Sequence, residues 1–256
     1  METNAINDYE PKIGIFDSGV GGFSVLKEIR NKTNADVLYF GDCARAPYGN
    51  RSIEEICMFM EEIIHNLKGQ EVTHFVSACN SMSVNMTDKI LKDCGIENDK
   101  YVDMIKAFKD YSNLPKDSKV LVFGTKATIS SGAYQQVLNE KKIQTDEYIF
   151  KTLAGLIEKK EEISEDEIQD MVLIGMSYAK DVGATHVLYG CTHYPLVDNI
   201  FKKCAKKIEW DGVFIDPAVY VGDVVAKWNL GGKKNTFFEA SEVTEEFRLL
   251  SDNYAI

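Results

Sequence analysis

The sequence predicts an α/β fold: two similar α/β domains with mainly parallel sheets, related by a pseudo-twofold axis, with an active site in the cleft between them. Three observations predict it. Short apolar runs alternate with amphipathic stretches along all 256 residues, two pairs of these runs recur at nearly the same spacing, and polar or glycine-bearing residues follow each repeated run.

The first run, KIGIF (12–16), leads through the turn DSGVGG into the amphipathic stretch Val25–Lys32. DVLYF (36–40) is followed by the segment GDCARAPYG and by Ile53–Leu67, and THFVSA (73–78) closes the first series. KVLVF (119–123), Gly132–Lys141, EYIF (147–150), Glu165–Val182, THVLYG (185–190) and GVFID (212–216) form the second. The apolar runs have strand length and composition, and alternation with amphipathic helices requires parallel crossovers. The charged run 158–170, EKKEEISEDEIQD, reads as a solvated helix face or loop.

Laid over each other, KIGIFDS at residue 12 matches KVLVFGT at residue 119, an offset of 107. THFVSACNS at residue 73 matches THVLYGCTH at residue 185, an offset of 112. Apolar strands resemble one another by chance, which covers the first pair. The second pair also shares Thr-His, a small residue and Cys, which favours duplication. The expected units are residues 1–104 plus 213–256, and residues 105–212. Ligands bind at the carboxyl ends of strands in such sheets, so Asp17, Ser18, Cys79, Asn80, Ser81, Thr125, Cys191, Thr192 and His193 are expected around one crevice.

Lys and Arg number 29 against 40 Asp and Glu, a net charge of −11. Nucleic-acid binding would need clustered cations, and none are present. No apolar stretch approaches the roughly 20 residues of a membrane span. Six scattered cysteines without a Cys-x-x-Cys pair, behind a polar start, predict a cytoplasmic protein with reduced thiols. An anionic substrate would then need a local pocket of amides and hydroxyls within an acidic surface.

The DSGVGG turn lacks the third glycine of a dinucleotide fingerprint, since position 24 is serine; it can still offer backbone N–H groups to a carboxylate. Cys43, Cys57, Cys94 and Cys204 read as small buried hydrophobes. Cys79 and Cys191 differ, because they hold equivalent places in the repeat and would approach a ligand from opposite sides. Opposed acid/base groups suit racemisation, in which one group removes a proton from a stereocentre and the other delivers one to the opposite face. Such a thiol needs its thiolate stabilised by a helix N-terminus or a charged His. Asp17 and His193 are placed to assist the nearer thiols, Cys79 and Cys191 respectively. His74 and His186 read as structural. Zinc-like ligand spacing is missing, so no metal is expected. A Cys-His hydrolase would leave the second cysteine and the duplication unexplained. Ser18, Asn80, Ser81, Thr125, Thr128 and Thr192 offer hydroxyls and an amide for substrate, and the Pro47-Tyr48-Gly49 turn offers backbone.

In order, IGIFDSGVGGFSVLKEI, YFGDCARAPYGNRS, SACNS, GTKATISSGAY and YGCTHYPL resemble the segments of glutamate racemases, cofactor-independent enzymes of bacterial cell-wall synthesis. The match runs from about Ile13 to Leu196 in separate blocks. The resemblance implies a two-domain fold and a two-base mechanism. Cys79 and Cys191 would be the acid/base pair, assisted by Asp17 and His193; Ser18, Pro47, Tyr48, Gly49, Asn80, Ser81, Thr125, Thr128 and Thr192 would bind glutamate. Glu158 would match a family glutamate, against its reading as a solvated helix charge. No cofactor is implied; a homodimer and a role in supplying D-glutamate for peptidoglycan are. The chain departs from the family at Ser81 and Met82, at Cys43, and in the segments 101–111 and 142–160, which bear on substrate preference and hinge geometry. An aspartate or other amino-acid racemase, or a non-catalytic amino-acid binder, are the alternatives.

Overall fold

The protein is described here as a computed structural model covering residues 12–159 and 164–253. These residues contain nine strands: β1 Lys12–Asp17, β2 Asp36–Gly41, β3 Val72–Ser77, β4 Tyr101–Asp103, β5 Lys119–Gly124, β6 Gln144–Ile149, β7 His186–Gly190, β8 Val213–Ile215 and β9 Thr236–Ala240. They form two sheets, ordered β4-β3-β1-β2-β9 and β6-β5-β7-β8, and every paired strand is parallel. Read with β1 against β5, β2 against β6, β3 against β7 and β4 against β8, the two orders are the same. β9 has no counterpart.

Both faces of each sheet are covered, which is why the strands are continuously apolar rather than alternating. Successive residues serve opposite cores. In β1, Ile13 and Ile15 pack on one face and Phe16 on the other. In β5, Leu121 and Phe123 face one core and Val120 and Val122 the other. A side chain at Gly14 would meet Val72 at 2.7 Å, so glycine permits the helix Ile53–Gly69 to seat Leu67 against β1. That helix opens on a capping box between Ser52 and Glu55, repeated by Ser164 and Glu167 ahead of the helix Glu165–Asp181.

The repeat extends to small contacts. Thr73 Oγ1 lies 2.9 Å from His74 Nδ1, and Thr185 Oγ1 lies 2.8 Å from His186 Nδ1. Both histidines are thus engaged locally, away from the carboxyl ends of their strands.

Four elements differ from expectation. β4 is three residues long and follows a polar stretch, and β9 is a half-exposed edge strand, so neither carries an apolar run. β6 begins at Gln144 rather than residue 147, because an edge strand tolerates polar residues on its open side. Residues 213–215, expected in the first unit, form β8 and pair with β7 in the second sheet. This corrects the boundary: β8 is the partner of β4 in the repeat, 112 residues later.

The helices after these two strands cross over. Met104–Tyr111 and Ala218–Lys227 pack against each other. Phe108 enters the core of the second sheet, while Ala218, Val221 and Val225 enter that of the first. Farther along, buried Arg30 donates to the carbonyls of Ala35 at 2.7 Å and Asn235 at 2.5 Å, holding the chain that leads into β9. The two halves are therefore joined through exchanged helices, and the carboxyl ends of β1, β3, β5 and β7 face one another.

Candidate active site

Where those strand ends meet, residues of both halves enclose a cavity of about 10 Å³, with walls that include Ser18, Cys79, Asn80, Thr125, Cys191 and His193. Space of that size holds about one water, so the cleft is closed. Pro47, Tyr48, Gly49, Ser81 and Thr192 line this cavity as well, and Ala154, absent from the expectation, joins them; Asp17, Thr128 and Glu158 do not line it. Gly49 is obligatory for closure, since a Cβ there would fall 2.5 Å from Thr125 Cβ. The Ala46–Pro47 peptide before it is cis, and Tyr48 donates its hydroxyl to Asp42, a partner the sequence did not single out.

Cys79 sits at the turn between β3 and the short helix Asn80–Ser83, and its thiol donates to Ser18 Oγ at 3.6 Å. Burial pushes this thiol up to about 12, nearby Asp17 adding to the shift. Cys191, at the equivalent end of β7, has its Sγ 3.7 Å from His193 Nδ1. The other ring nitrogen, His193 Nε2, lies 2.5 Å from Glu158 Oε2. Burial alone would lower the imidazole pKa, but the contacts to Cys191 and Glu158 outweigh it and carry it well above the usual range.

Glu158 is buried at the end of the helix Leu153–Glu158 and accepts the Val20 backbone N–H at 3.2 Å. Its reading as a solvated helix charge is therefore corrected: exposure begins at Lys159, and residues 160–163 of the charged run lie outside the described residues. Asp17 is fully buried. Its oxygens accept Gly19 N–H at 2.9 Å and Thr192 Oγ1–H at 3.1 Å. Burial raises its pKa to about 6, moderated chiefly by His193. Asp17 thus engages the second half through Thr192, whereas the hydrogen-bond partner of Cys79 is Ser18.

Asp17, Thr128 and Glu158 stand behind the cavity wall. Thr128 Oγ1 lies 3.2 Å from Thr125 Oγ1, which in turn lies 3.2 Å from Ser81 Oγ across the cleft. Ser24 Oγ donates to Thr192 O at 3.1 Å, and Tyr134 OH to Asn80 Oδ1 at 2.7 Å. Ser24 and Tyr134 lie inside the blocks IGIFDSGVGGFSVLKEI and GTKATISSGAY that carry the resemblance, but a helical serine and a core tyrosine do not by their type point to the site. Among the described residues, no Lys or Arg lines the cavity; hydroxyls, the Asn80 amide and the His193 ring supply its polarity. The larger surface recess of about 710 Å³ around Lys202, Trp210 and Phe214 contains none of the expected site residues. No group of three metal-ligating side chains occurs among the described residues, and no helix there is long and apolar enough to cross a membrane.

No protein-family profile matches the sequence. The chain is 33% identical over 253 residues to glutamate racemase 2 of Caldanaerobacter subterraneus, across 92% of this chain and 90% of that protein. It is 36% identical over 201 residues to the glutamate racemase of Aquifex pyrophilus, across 77% of each. Among solved structures, glutamate racemase of Francisella tularensis in complex with D-glutamate superposes with a TM-score of 0.80 at 28% identity, across 96% of this chain and 93% of that one.

Proposed function

The chain belongs to the glutamate racemase family, and from that premise we propose that it interconverts L- and D-glutamate by proton transfer at two cysteines, Cys79 and Cys191. One observation carries the reading: two thiols from equivalent strand ends of a repeat line a single cavity from different halves.

In one direction the Cys79 thiolate takes the α-proton, and the C–H electron pair remains on the α-carbon. The Cys191 thiol then delivers its proton to the opposite face, leaving a thiolate on Cys191 and a thiol on Cys79. The reverse direction exchanges the roles. With Cys79 pushed up to about 12 by burial, its thiolate needs a cation nearby, and the substrate's own ammonium group is that cation. His193, held as an imidazolium by Glu158, assists Cys191, and Asp17 assists at the Cys79 side. Ser18, Asn80, Ser81, Thr125 and Thr192, with Pro47, Tyr48, Gly49 and Thr128 shaping the wall, hold the carboxylates through preorganised dipoles. No cofactor enters the scheme.

The same reading makes the protein a cytoplasmic homodimer that supplies D-glutamate for peptidoglycan. It also divides the chain into residues 1–104 completed by the segment after β8, and residues 105–215. Incubation of the purified protein with single glutamate enantiomers in deuterated water tests the activity: α-deuteration and loss of optical rotation are expected together. Saturable glutamate binding without α-exchange would overturn it.

A further inference from the structure

Tyr134 stands outside the residues assigned to chemistry or binding, yet its hydroxyl reaches the cavity wall. It lies on the helix Ala133–Glu140 of the second half, is 2% exposed, and packs edge-on against Phe108. Its only polar atom donates to Asn80 Oδ1 at 2.7 Å, across the junction of the halves. The amide nitrogen of Asn80 is buried at the cavity and has no hydrogen-bond partner.

We propose that Tyr134 is a positioning residue that locks the Asn80 amide with Nδ2 facing the cavity, so that it donates to a substrate carboxylate. This inference rests on the proposed racemase reading. An amide presents an acceptor on one side and two N–H donors on the other, and a flip exchanges them. Burial and the nearby Asp103 keep the phenol protonated, so it serves as donor. It therefore fixes oxygen towards itself. In the flipped amide, Asn80 oxygen would face an incoming carboxylate and the phenol proton would lose its acceptor. A buried, unsatisfied donor held ready costs free energy in the empty protein and is repaid when an anion fills the site.

The test compares wild type, Tyr134→Phe, Asn80→Ala and the double variant, measuring D- and L-glutamate binding by calorimetry and racemisation by circular dichroism. Tyr134→Phe removes one oxygen and is expected to raise KM and the dissociation constant about fivefold to twentyfold, with a smaller change in kcat. In the Asn80→Ala background the same substitution is expected to change neither, because the amide it positions is gone. Equal effects in both backgrounds would show a merely structural role and overturn the inference, as would unchanged glutamate affinity in Tyr134→Phe. Wild type that binds glutamate without racemising it would sink the racemase reading instead, while the binding cycle would still decide on Tyr134.

Discussion

His193 Nε2 lies 2.5 Å from a carboxylate oxygen of Glu158, both side chains being buried. The pair joins the end of β7 to the helix Leu153–Glu158, and the same carboxylate accepts Val20 N–H from the other half. One buried acid thus fixes the protonation of the histidine beside Cys191 and ties the glycine turn after β1 to the second sheet.

Because the folded imidazole titrates well above 6.5, the stabilisation from this pair is complete below about 6.5 and fades as pH rises through the folded value. Glu158→Gln removes the charge that holds the proton. The alkaline limb of the activity profile should move to lower pH, and kcat at pH 8 should fall about 10²-fold, the low end for a positioned acid–base group. An alkaline limb unmoved by the substitution would refute the assistance that Glu158 gives Cys191 through His193.

Cys79→Ser and Cys191→Ser should each reduce racemisation by roughly 10³-fold or more, since a hydroxyl is a far weaker acid than a thiol, so it gives up its proton less readily and its basic form is scarcely populated. Cys204, whose thiol meets the Gln169 carbonyl inside the second core, should tolerate serine with activity retained. Circular dichroism of the glutamate pool measures all three, and near-normal turnover in either cavity variant would exclude the two-thiol scheme.

Asp17 titrates near 6 in the folded chain against 3.8 as a free group. Between these values the folded chain holds a proton the unfolded chain has lost, so stability falls as pH rises through that window and stays lower above it. The cost above pH 6 is on the order of 3 kcal/mol. Asp17→Asn should therefore raise the melting temperature at pH 8 while lowering activity, with the gain shrinking towards pH 4. A variant less stable than wild type at pH 8 would contradict burial as the dominant influence.

Gly49→Ala places a methyl against Thr125 where 2.5 Å is available. The expected cost falls on closure rather than on folding: about 1–3 kcal/mol of overpacking, read as a KM raised roughly tenfold or more with little change in melting temperature. Steady-state kinetics beside thermal unfolding separates the two, and unchanged KM would show that the turn yields.

Much of this was legible in the chain. Continuous apolar runs such as KVLVF and THVLYG have to be buried on both faces, and the 112-residue echo of Thr-His-Cys is enough to align β3 with β7 and Cys79 with Cys191. β4 and β9 were not legible, because a three-residue strand and a half-exposed edge strand owe their state to neighbouring backbone rather than to their own composition.

The sequence by itself determined the α/β class, the repeat, and the chemical types gathered at the strand ends, all of which follow from local periodicity and from residue identity. Only the tertiary structure decided that Glu158 is a buried partner of His193, that Asp17 bonds to Thr192, and that Tyr134 meets Asn80. Those pairs lie far apart along the chain, and the low polarity around them, which sets their protonation and the cost of leaving a donor unpaired, exists only once the two halves close.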